Sequence, residues 1–311
     1  MSESVTDQAI EPGAAIGFVG LGRMGRPMAA RLARAGYRVL GYDVSGPAAR
    51  AWAEHVADDG VARAVPALAD VAGGAAAVVL MLPDSSVVTD VLVNQGLLAA
   101  LPRGTVVVDM SSSVPRSTRE LAARAAVRGI ALVDAPVSGG VRGAEQGSLT
   151  VMVGGAAADV RRAGPLLDVL GGRVMHVGDV GAGHAVKALN NLMSATHLLA
   201  TSEAMAAAAE FGLDIPTVLA AINTSSGRSG STENKWPNFI VPRTFDSGFA
   251  LRLMLKDMRI ALDLAESAQT PARLSAAAVA LWASAADALP PDADHTEIAR
   301  WLDPALRPES P

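Results

Sequence analysis

Cysteine is absent from the 311-residue sequence, which excludes disulfides, thiolate zinc sites and cysteine nucleophiles. No cluster of Lys or Arg stands out and the formal net charge is −5, so nucleic acid is not expected as a partner. The five histidines show no spacing with nearby acids that would predict a metal site. A Gly-x-Ser-x-Gly elbow and a Walker lysine motif are also missing, so neither a hydrolase nor a P-loop NTPase is indicated.

Long apolar segments are missing as well. The longest strongly apolar run, Ala75 to Leu82, is too short to span a bilayer. The first residues, Met1 to Pro12, are polar and acidic, and they lack the basic start and the apolar core of a signal peptide. The sequence therefore predicts a cytoplasmic protein with no membrane partner.

A strand, a glycine-rich turn, a helix and a second strand follow one another near the start of the chain. Ile16 to Val19 fits a buried strand, Arg26 to Ala35 has a helical pattern, and Tyr37 to Tyr42 suits the second strand. The turn between strand and helix is a G-x-G-x-x-G sequence, formed by Gly20, Leu21, Gly22, Arg23, Met24 and Gly25. This order is typical of a dinucleotide-binding unit, and the alternative is a glycine-rich helix start without a ligand.

Each glycine of the turn has a physical role in a dinucleotide-binding unit. Gly20 permits the tight turn, Gly22 lets the backbone approach a pyrophosphate, and Gly25 lets the helix pack closely against the strand. The N–H groups at the start of the helix then face the phosphates. Asp43 follows the second strand, where a carboxylate can accept hydrogen bonds from both ribose hydroxyls.

Strands and helices continue to alternate in the first part of the chain. Apolar runs at 76–82, 105–109 and 131–134 predict buried parallel strands, and 149–153 and 173–177 are predicted as edge strands. Short helices are predicted between them, one of them over Val65 to Ala72. The alternation predicts an α/β fold with a Rossmann-type, doubly wound, mostly parallel sheet.

Helical patterns replace the strands after about residue 178. A long helix without proline is predicted over 182–211, and shorter helices follow within 215–222, 251–268, 272–285 and 296–302. We therefore predict an NAD-binding Rossmann domain over residues 13–178 and an all-helical domain over residues 179–303, joined by the long helix. Residues 1–12 and 304–311 are expected to be loose termini.

The predicted long helix carries two polar residues that could take part in chemistry, Lys187 and Asn191. Because they are four residues apart they share one helix face, and their neighbours are mostly apolar. A lysine near apolar surface can have its pKa lowered, since desolvation disfavours the ammonium, and this prepares it for proton transfer. The local pattern also fits a surface lysine whose stem lies along apolar surface.

Two further segments carry polar groups. Ser138, Gly139 and Gly140 follow a predicted strand, and a hydroxyl with unhindered backbone N–H groups could bind a carboxylate. A flexible loop without a ligand is the alternative. Lys256 and Asp257 are adjacent on a predicted helix, where such a pair is usually solvated.

Four motifs taken together resemble those of the β-hydroxyacid dehydrogenase family. In chain order they are GFVGLGRMG (17–25), DAPVSGG (134–140), GHAVKALNN (183–191) and KDM (256–258). They span nearly the whole chain, so the resemblance covers both predicted domains. Ser112 and Met258 depart mildly from the family pattern, which often has threonine and leucine at these positions.

The resemblance implies a role for each matching residue. Lys187 is implied to be the catalytic acid/base, and Ser138, Gly139, Gly140 and Asn191 to hold the carboxylate and hydroxyl of the substrate. The residues implied to bind the cofactor are Gly20, Leu21, Gly22, Arg23, Met24, Gly25, Asp43, Leu82, Pro83, Ser112 and Lys256. No metal is implied.

The resemblance also implies the activity, an oxidoreductase that transfers a hydride between NAD and a small 3-hydroxy acid. The main alternative is reduction of a semialdehyde such as tartronate semialdehyde, succinic semialdehyde or sulfolactaldehyde. Imine reductases and non-catalytic relatives that bind NAD commonly lack the lysine that this chain has at position 187, so they are less favoured. Members of the family are usually dimers or tetramers, which implies a homo-oligomer formed through the helical domain.

The cofactor is expected to be NAD and less readily NADP. Relatives that prefer NADP tend to carry Asn-Arg-Thr after the second strand. This chain has Asp43, Val44 and Ser45 there. A carboxylate suits the free ribose hydroxyls of NAD and repels the additional phosphate of NADP.

Overall fold

The computed structural model describes residues 8–56 and 61–306, so the expectations for residues 1–7 and 307–311 lie outside the described part of the chain. By its internal contacts the chain divides into two units between Lys187 and Ala188.

The first unit contains one sheet, whose strands follow from the apolar runs of the sequence. Within the described residues its nine strands are β1 (Ala15–Val19), β2 (Arg38–Tyr42), β3 (Ala62–Ala64), β4 (Ala77–Leu80), β5 (Val106–Asp109), β6 (Ala131–Asp134), β7 (Val137–Ser138), β8 (Leu149–Gly154) and β9 (Gly171–Gly178). Six of them are parallel, in the order β3-β2-β1-β4-β5-β6. Strands β2 and β3 lie on one side of β1 and β4 to β6 lie on the other, and a ligand crevice is expected at the carboxyl ends of the strands where the order reverses.

Both faces of the sheet are buried, as the continuous apolar runs require. In β4, Ala77 and Val79 point into one hydrophobic cluster, while Val78 and Leu80 point into the other. Because side chains alternate between the faces of a strand, a run that is apolar at every position is stable only between two covering layers.

Helices cover the two faces of the sheet. They are α1 (Gly25–Arg34), α2 (Gly46–Val56), α3 (Ser85–Thr89), α4 (Leu97–Ala100), α5 (Pro115–Val127), α6 (Gly140–Gln146) and α7 (Ala157–Leu170), with a 3₁₀ turn at Leu68–Ala72 and a π-helical turn at Asp90–Asn94. Local sequence signals explain several of these ends. Pro115 occupies the first turn of α5, where its missing N–H costs nothing, and Asp84 caps α3 by accepting from the N–H groups of Ser86 and Val87.

Within the described residues, the regular elements of the second unit are helices, apart from one isolated β-bridge between Ala250 and Asp294. The long helix α8 (Ala182–Glu210) begins in the first unit and continues into the second. It is followed by α9 (Ile215–Asn223), a π-helical segment (Ser231–Ile240), α10 (Leu251–Ser267), α11 (Arg273–Ala288) and α12 (Ile298–Leu302), with 3₁₀ turns at His295–Glu297 and Pro304–Leu306. The predicted fold class is confirmed: a Rossmann-type sheet domain followed by a helical domain.

Three local expectations differ from the structure. Leu149–Val153 is not an edge strand, because β8 pairs with β6, β7 and β9. The helix expected over Val65 to Ala72 is reduced to a 3₁₀ turn from Leu68, since Pro66 favours extended backbone before it. Ile10, expected in a loose terminus, is buried, and its carbonyl oxygen accepts a hydrogen bond from the Tyr37 hydroxyl at 2.9 Å.

None of the helices in the described residues is both long and apolar enough to cross a membrane.

Candidate active site

The glycine turn between β1 and α1 has the backbone geometry of a phosphate cradle. Gly20 has φ +97°, and a Cβ on Gly25 would overlap the carbonyl oxygen of Gly20, so α1 can approach β1 this closely only with glycine there. A Cβ on Gly22 would meet no atom within 4 Å. The turn is therefore closed on its inner side and open at Gly22, where a ligand can reach the backbone.

Asp43 is held against this turn at the end of β2. Its Oδ2 accepts a hydrogen bond from the N–H of Leu21 at 2.8 Å, and its Oδ1 accepts one from the N–H of Ser45 at 2.8 Å. A carboxylate has about four lone-pair sites, so two acceptor positions stay available for a ligand. Asp43 thus fastens the glycine turn to β2, a role that the sequence did not indicate.

A cavity of about 660 Å³ lies beside the turn, within the first unit. Gly22, Arg23, Asp43 and Ser45 are among its lining residues. Its size falls within the range of about 300–1,000 Å³ that small-molecule sites occupy. Open space at Gly22, the start of α1 and an oriented carboxylate together fit the phosphates and ribose of a dinucleotide.

The loops that follow β4 and β5 meet at the carboxyl edge of the sheet. The N–H of Leu82 donates to the hydroxyl oxygen of Ser111 at 3.0 Å. Asp109, the last residue of β5, accepts from the Ser113 hydroxyl at 2.9 Å and from the N–H of Ser111 at 3.0 Å. These bonds fix the loop that carries Ser112 next to the loop that carries Leu82 and Pro83.

The start of α8 is fixed to the end of β6 by one carboxylate. Asp134 Oδ1 accepts from the N–H of Gly181 at 2.7 Å, and its Oδ2 accepts from the N–H of His184 at 2.9 Å. A negative charge at a helix N-terminus is favourable because it satisfies N–H groups that have no partner within the helix. Residue 183 must be glycine, since a Cβ there would overlap the carbonyl oxygen of Met152.

His184 links this helix start to the loop after β5. Its ring is buried, with Nε2 3.0 Å from the carbonyl oxygen of Ser111 and Nδ1 2.8 Å from the Thr118 hydroxyl. A carbonyl oxygen can only accept, so Nε2 carries the proton of that bond. Sequence reasoning left His184 out of the candidate site; its position three residues before Lys187 was the available signal.

Lys187 and Asn191 lie on successive turns of α8, and both side chains are buried. In the second unit the Asn191 amide donates to Asp257 Oδ2 at 2.6 Å, and Lys256 Nζ lies 3.3 Å from Asp257 Oδ1. Asp257 is only 1% exposed, so the Lys256–Asp257 pair is not a solvated surface pair. Asp257, which the sequence did not single out, orients the Asn191 amide.

The segment from Ser138 to Gly140 leads from β7 into α6. Ser138 pairs with Thr150 of β8, which fixes its backbone, while Gly139 and Gly140 have φ of +132° and +63°. A Cβ on Gly140 would meet no atom within 4 Å, so the main chain there is accessible. A hydroxyl on this fixed backbone, beside consecutive N–H groups, can bind an anion such as a carboxylate.

In the described part of the chain, no group of three or more His, Asp or Glu residues could hold a metal ion.

Two family models match consecutive parts of the chain. Residues 15–178 match a family described as the NAD-binding domain of 6-phosphogluconate dehydrogenase. Residues 181–302 match a family described as the NAD-binding domain of NADP-dependent 3-hydroxyisobutyrate dehydrogenase. The two matches together cover all the residues of the candidate site.

Individual proteins are similar over most of their length. The chain is 40% identical to 2-(hydroxymethyl)glutarate dehydrogenase of Eubacterium barkeri, over 86% of this chain and 87% of the relative. It is 38% identical to 3-hydroxyisobutyrate dehydrogenase of Pseudomonas aeruginosa, over 90% of this chain and 94% of the relative. A solved structure of Mycobacterium tuberculosis 3-hydroxyisobutyrate dehydrogenase with L-serine is 34% identical, covering 93% of this chain and 98% of its own, with a TM-score of 0.86.

Proposed function

This chain belongs to the β-hydroxyacid dehydrogenase family, and from that premise we propose that it oxidises a small 3-hydroxy acid with NAD, using Lys187 as general base. It is an oxidoreductase that acts on hydroxy acids with a nicotinamide dinucleotide. The observation that supports the residue assignment is the burial of Lys187 on a helix whose start is bonded to the end of β6 and to the loop after β5.

The residues of the first unit fit the cofactor. The open backbone at Gly22 and the N-terminus of α1 suit the pyrophosphate, and Asp43 has acceptor positions for the adenine ribose. Leu82, Pro83 and Ser112 lie on the two neighbouring loops at the same edge of the sheet and are proposed to flank the nicotinamide half. The family resemblance adds Lys256 from the second unit.

Lys187 is proposed to handle the proton of the reaction. When bound, the cofactor supplies the carbon that accepts or returns a hydride. In oxidation, the neutral Lys187 Nζ accepts the proton from the substrate hydroxyl oxygen, and in reduction the ammonium returns it to the carbonyl oxygen. Burial of Lys187 excludes bulk water, which would otherwise compete for this proton.

The substrate carboxylate is assigned to the Ser138–Gly140 segment. The Ser138 hydroxyl and the accessible N–H groups of the two glycines can donate to it. Asn191, oriented by Asp257, is proposed to donate its remaining amide hydrogen to the substrate hydroxyl oxygen. Binding the acid at one end and the hydroxyl at the other selects a hydroxy acid over a simple alcohol.

Semialdehyde reduction is the same chemistry in reverse, and the names of the relatives favour oxidation of a hydroxy acid. Imine reduction and a non-catalytic role are not favoured either. The relatives named above are dehydrogenases, and this chain has the lysine, Lys187, that imine reductases and non-catalytic relatives commonly lack. We further propose that the protein is a cytoplasmic homo-oligomer.

The test is a substrate panel assayed by NADH absorbance. Purified protein is mixed with NAD or NADP and a series of 3-hydroxy acids, with 2-hydroxy acids and primary alcohols of the same size as controls. We expect turnover confined to the 3-hydroxy acids and faster with NAD. A protein that binds NADH but turns over none of the hydroxy acids or semialdehydes would contradict the proposed function.

A further inference from the structure

His184 is a buried side chain that the proposed reaction leaves without a role. It is 1% exposed and lies in the first turn of α8, three residues before Lys187. Residues three apart are neighbours on a helix surface, separated by about 4.5 Å along the axis. The imidazole therefore lies on the same side of α8 as the proposed general base, and both residues belong to the first unit.

Two buried aspartates frame the ring of His184. Asp109 and Asp134 end the neighbouring strands β5 and β6, and they are partners in the register of these strands. An Asp109 oxygen lies 3.8 Å from the ring nitrogen Nε2, and an Asp134 oxygen lies 3.9 Å from the other ring nitrogen, Nδ1. The ring thus lies between the two carboxylates, at the carboxyl ends of the two strands.

The two aspartates fasten different segments of the chain. Asp109 accepts two hydrogen bonds from the loop after β5, one of them from the N–H of Ser111. Asp134 accepts two hydrogen bonds from the start of α8, from the N–H groups of Gly181 and His184. None of these four bonds joins the loop to the helix, so each carboxylate orders only its own segment.

The imidazole of His184 supplies the connection between these segments. Its Nε2 donates to the carbonyl oxygen of Ser111 at 3.0 Å, and its Nδ1 lies 2.8 Å from the hydroxyl oxygen of Thr118 on α5. The Ser111 hydroxyl in turn accepts from the N–H of Leu82 at 3.0 Å. The first turn of α8 is thereby joined to both loops that are proposed to flank the nicotinamide.

We propose that His184 is a positioning residue for the dehydrogenase reaction, an inference that rests on the proposed function. Its backbone is held by Asp134 and its ring by the Ser111 carbonyl, so it fixes the rotation of the first turn of α8 against the nicotinamide loops. Lys187, on the next turn, then keeps its Nζ at a constant position relative to those loops. A misplacement of about 1 Å can cost about 10²-fold in rate, so His184 controls kcat without touching the substrate.

Two substitutions at this position test the inference. Leucine at 184 fills a similar volume and makes no hydrogen bond. Glutamine offers an N–H to the Ser111 carbonyl and an amide oxygen to the Thr118 hydroxyl. In His184→Leu, kcat and the single-turnover rate of NADH formation should fall about tenfold to a hundredfold. KM for the hydroxy acid should stay within about threefold, because the groups that bind it are unaltered. His184→Gln should recover most of the lost rate.

Thr118→Val is a second variant, which keeps the imidazole and removes the bond at Nδ1. The ring is then held by Ser111 alone, so kcat should fall by less than in His184→Leu, again at unchanged KM. Because both changes act through one ring, the double variant should be no slower than His184→Leu. If His184→Leu does not fold, a wild-type kcat in Thr118→Val overturns the inference.

Tyr37→Phe is the matched control for a general loss of stability. Tyr37 is also buried in the first unit, and its hydroxyl donates to the carbonyl oxygen of Ile10 at 2.9 Å. Loss of this buried bond should lower the midpoint of urea unfolding, because it leaves the carbonyl oxygen without that partner. Since Tyr37 lies outside the proposed site, kcat should stay at the wild-type value.

The outcomes separate positioning from folding. The inference is overturned if His184→Leu keeps more than half of the wild-type kcat, if His184→Gln is as slow as His184→Leu, or if Tyr37→Phe loses as much kcat as His184→Leu. Each of these results leaves the proposed function standing. A wild type inactive on every hydroxy acid and semialdehyde overturns both.

Discussion

At the scale of single residues, Lys187 carries the most direct prediction. Lys187→Ala should lower kcat by about 10²–10⁴-fold, the usual worth of a positioned general acid/base. NADH binding, measured by fluorescence, should stay within a few-fold of wild type, because the glycine turn is unaltered. A variant that keeps more than half of the wild-type kcat with unchanged cofactor binding would remove Lys187 from the mechanism.

Asp43 decides the choice of cofactor in our interpretation. With NADP the Asp43 carboxylate would face the additional phosphate. Two penalties then add, the repulsion between like charges and the loss of the hydrogen bonds to the ribose, and each penalty is worth roughly 1–3 kcal/mol. We expect wild-type kcat/KM to favour NAD by about tenfold to several-hundredfold. Asp43→Ser should erode this preference. Because Asp43 also accepts from the N–H of Leu21, the same change should raise KM for NAD.

The cofactor prediction is checked by kcat/KM for NAD and NADP in both proteins. Arg50 on α2 is a cation close in sequence that could offset the repulsion, and one of its guanidinium nitrogens lies 3.4 Å from where a Cβ on Gly46 would stand. Equal or better use of NADP by the wild type would contradict the argument and direct attention to Arg50.

At the scale of the elements, the start of α8 depends on glycine at 183. A Cβ there would overlap the Met152 carbonyl oxygen and lie 2.9 Å from Asp134 Oδ2. Gly183→Ala should therefore destabilise the protein by about 1–3 kcal/mol in urea unfolding, as overpacking does. It should also lower kcat, because displacement of the helix start moves Lys187.

Gly230→Ala is the matched control for this change. Gly230 has φ −60°, and a Cβ there would meet no atom within 4 Å. We expect its unfolding free energy to stay within about 1 kcal/mol of wild type. If Gly183→Ala behaves like Gly230→Ala in both stability and kcat, the start of α8 is not fixed as described.

The 3₁₀ turn before α12 should make the stability of the second unit pH-dependent. Burial lowers the pKa of His295 to about 4, and the positive charge of Lys235 is the second largest cause of this shift. In the unfolded chain its pKa is about 6.5, so between these values the unfolded state binds more protons. This contribution to stability is fully present above pH 6.5 and is lost as pH falls to 4. The change amounts to about 1–3 kcal/mol.

His295→Asn separates this effect from general acid denaturation. His295 Nδ1 lies 3.1 Å from the carbonyl oxygen of Phe249, and the asparagine amide can keep that donor without titrating. The difference in unfolding free energy between pH 7 and pH 4.5 should shrink in His295→Asn. It should stay at the wild-type value in His197→Asn, which alters an exposed histidine. A wild-type slope in His295→Asn would mean that another group titrates.

At the scale of the whole molecule, the exposed apolar side chains of the second unit predict self-association. Within the described residues, large apolar side chains on or just after α8 are exposed, among them Met193 (60%), Phe211 (82%) and Leu213 (48%). Association would remove these side chains from water, which is favourable. We expect sedimentation velocity at micromolar concentration to show at least a dimer, and Phe211→Glu to weaken it. A monomeric wild type would contradict the prediction.

The sequence alone determined the fold class and the candidate motifs. Apolar runs of four to seven residues, a glycine turn followed by a helical pattern and a long helix without proline are local signals, because backbone periodicity is set by near neighbours. Residues such as Gly22, Lys187 and Asn191 were therefore identified without coordinates. Several short elements were not identified in this way, and the sequence of the π-helical segment Ser231–Ile240 shows no recognisable helical pattern.

Only the tertiary structure decided what those residues are bonded to. The bond from the His184 ring to Ser111 joins residues 73 apart, that from Asn191 to Asp257 joins residues 66 apart, and that from Lys235 to Ser194 joins residues 41 apart. No local pattern encodes such pairs, because they depend on which elements pack together and on how burial changes the cost of a charge. In the sequence Lys235 looks like an ordinary surface lysine, and only the tertiary structure buries enough of its side chain to lower its pKa to about 8.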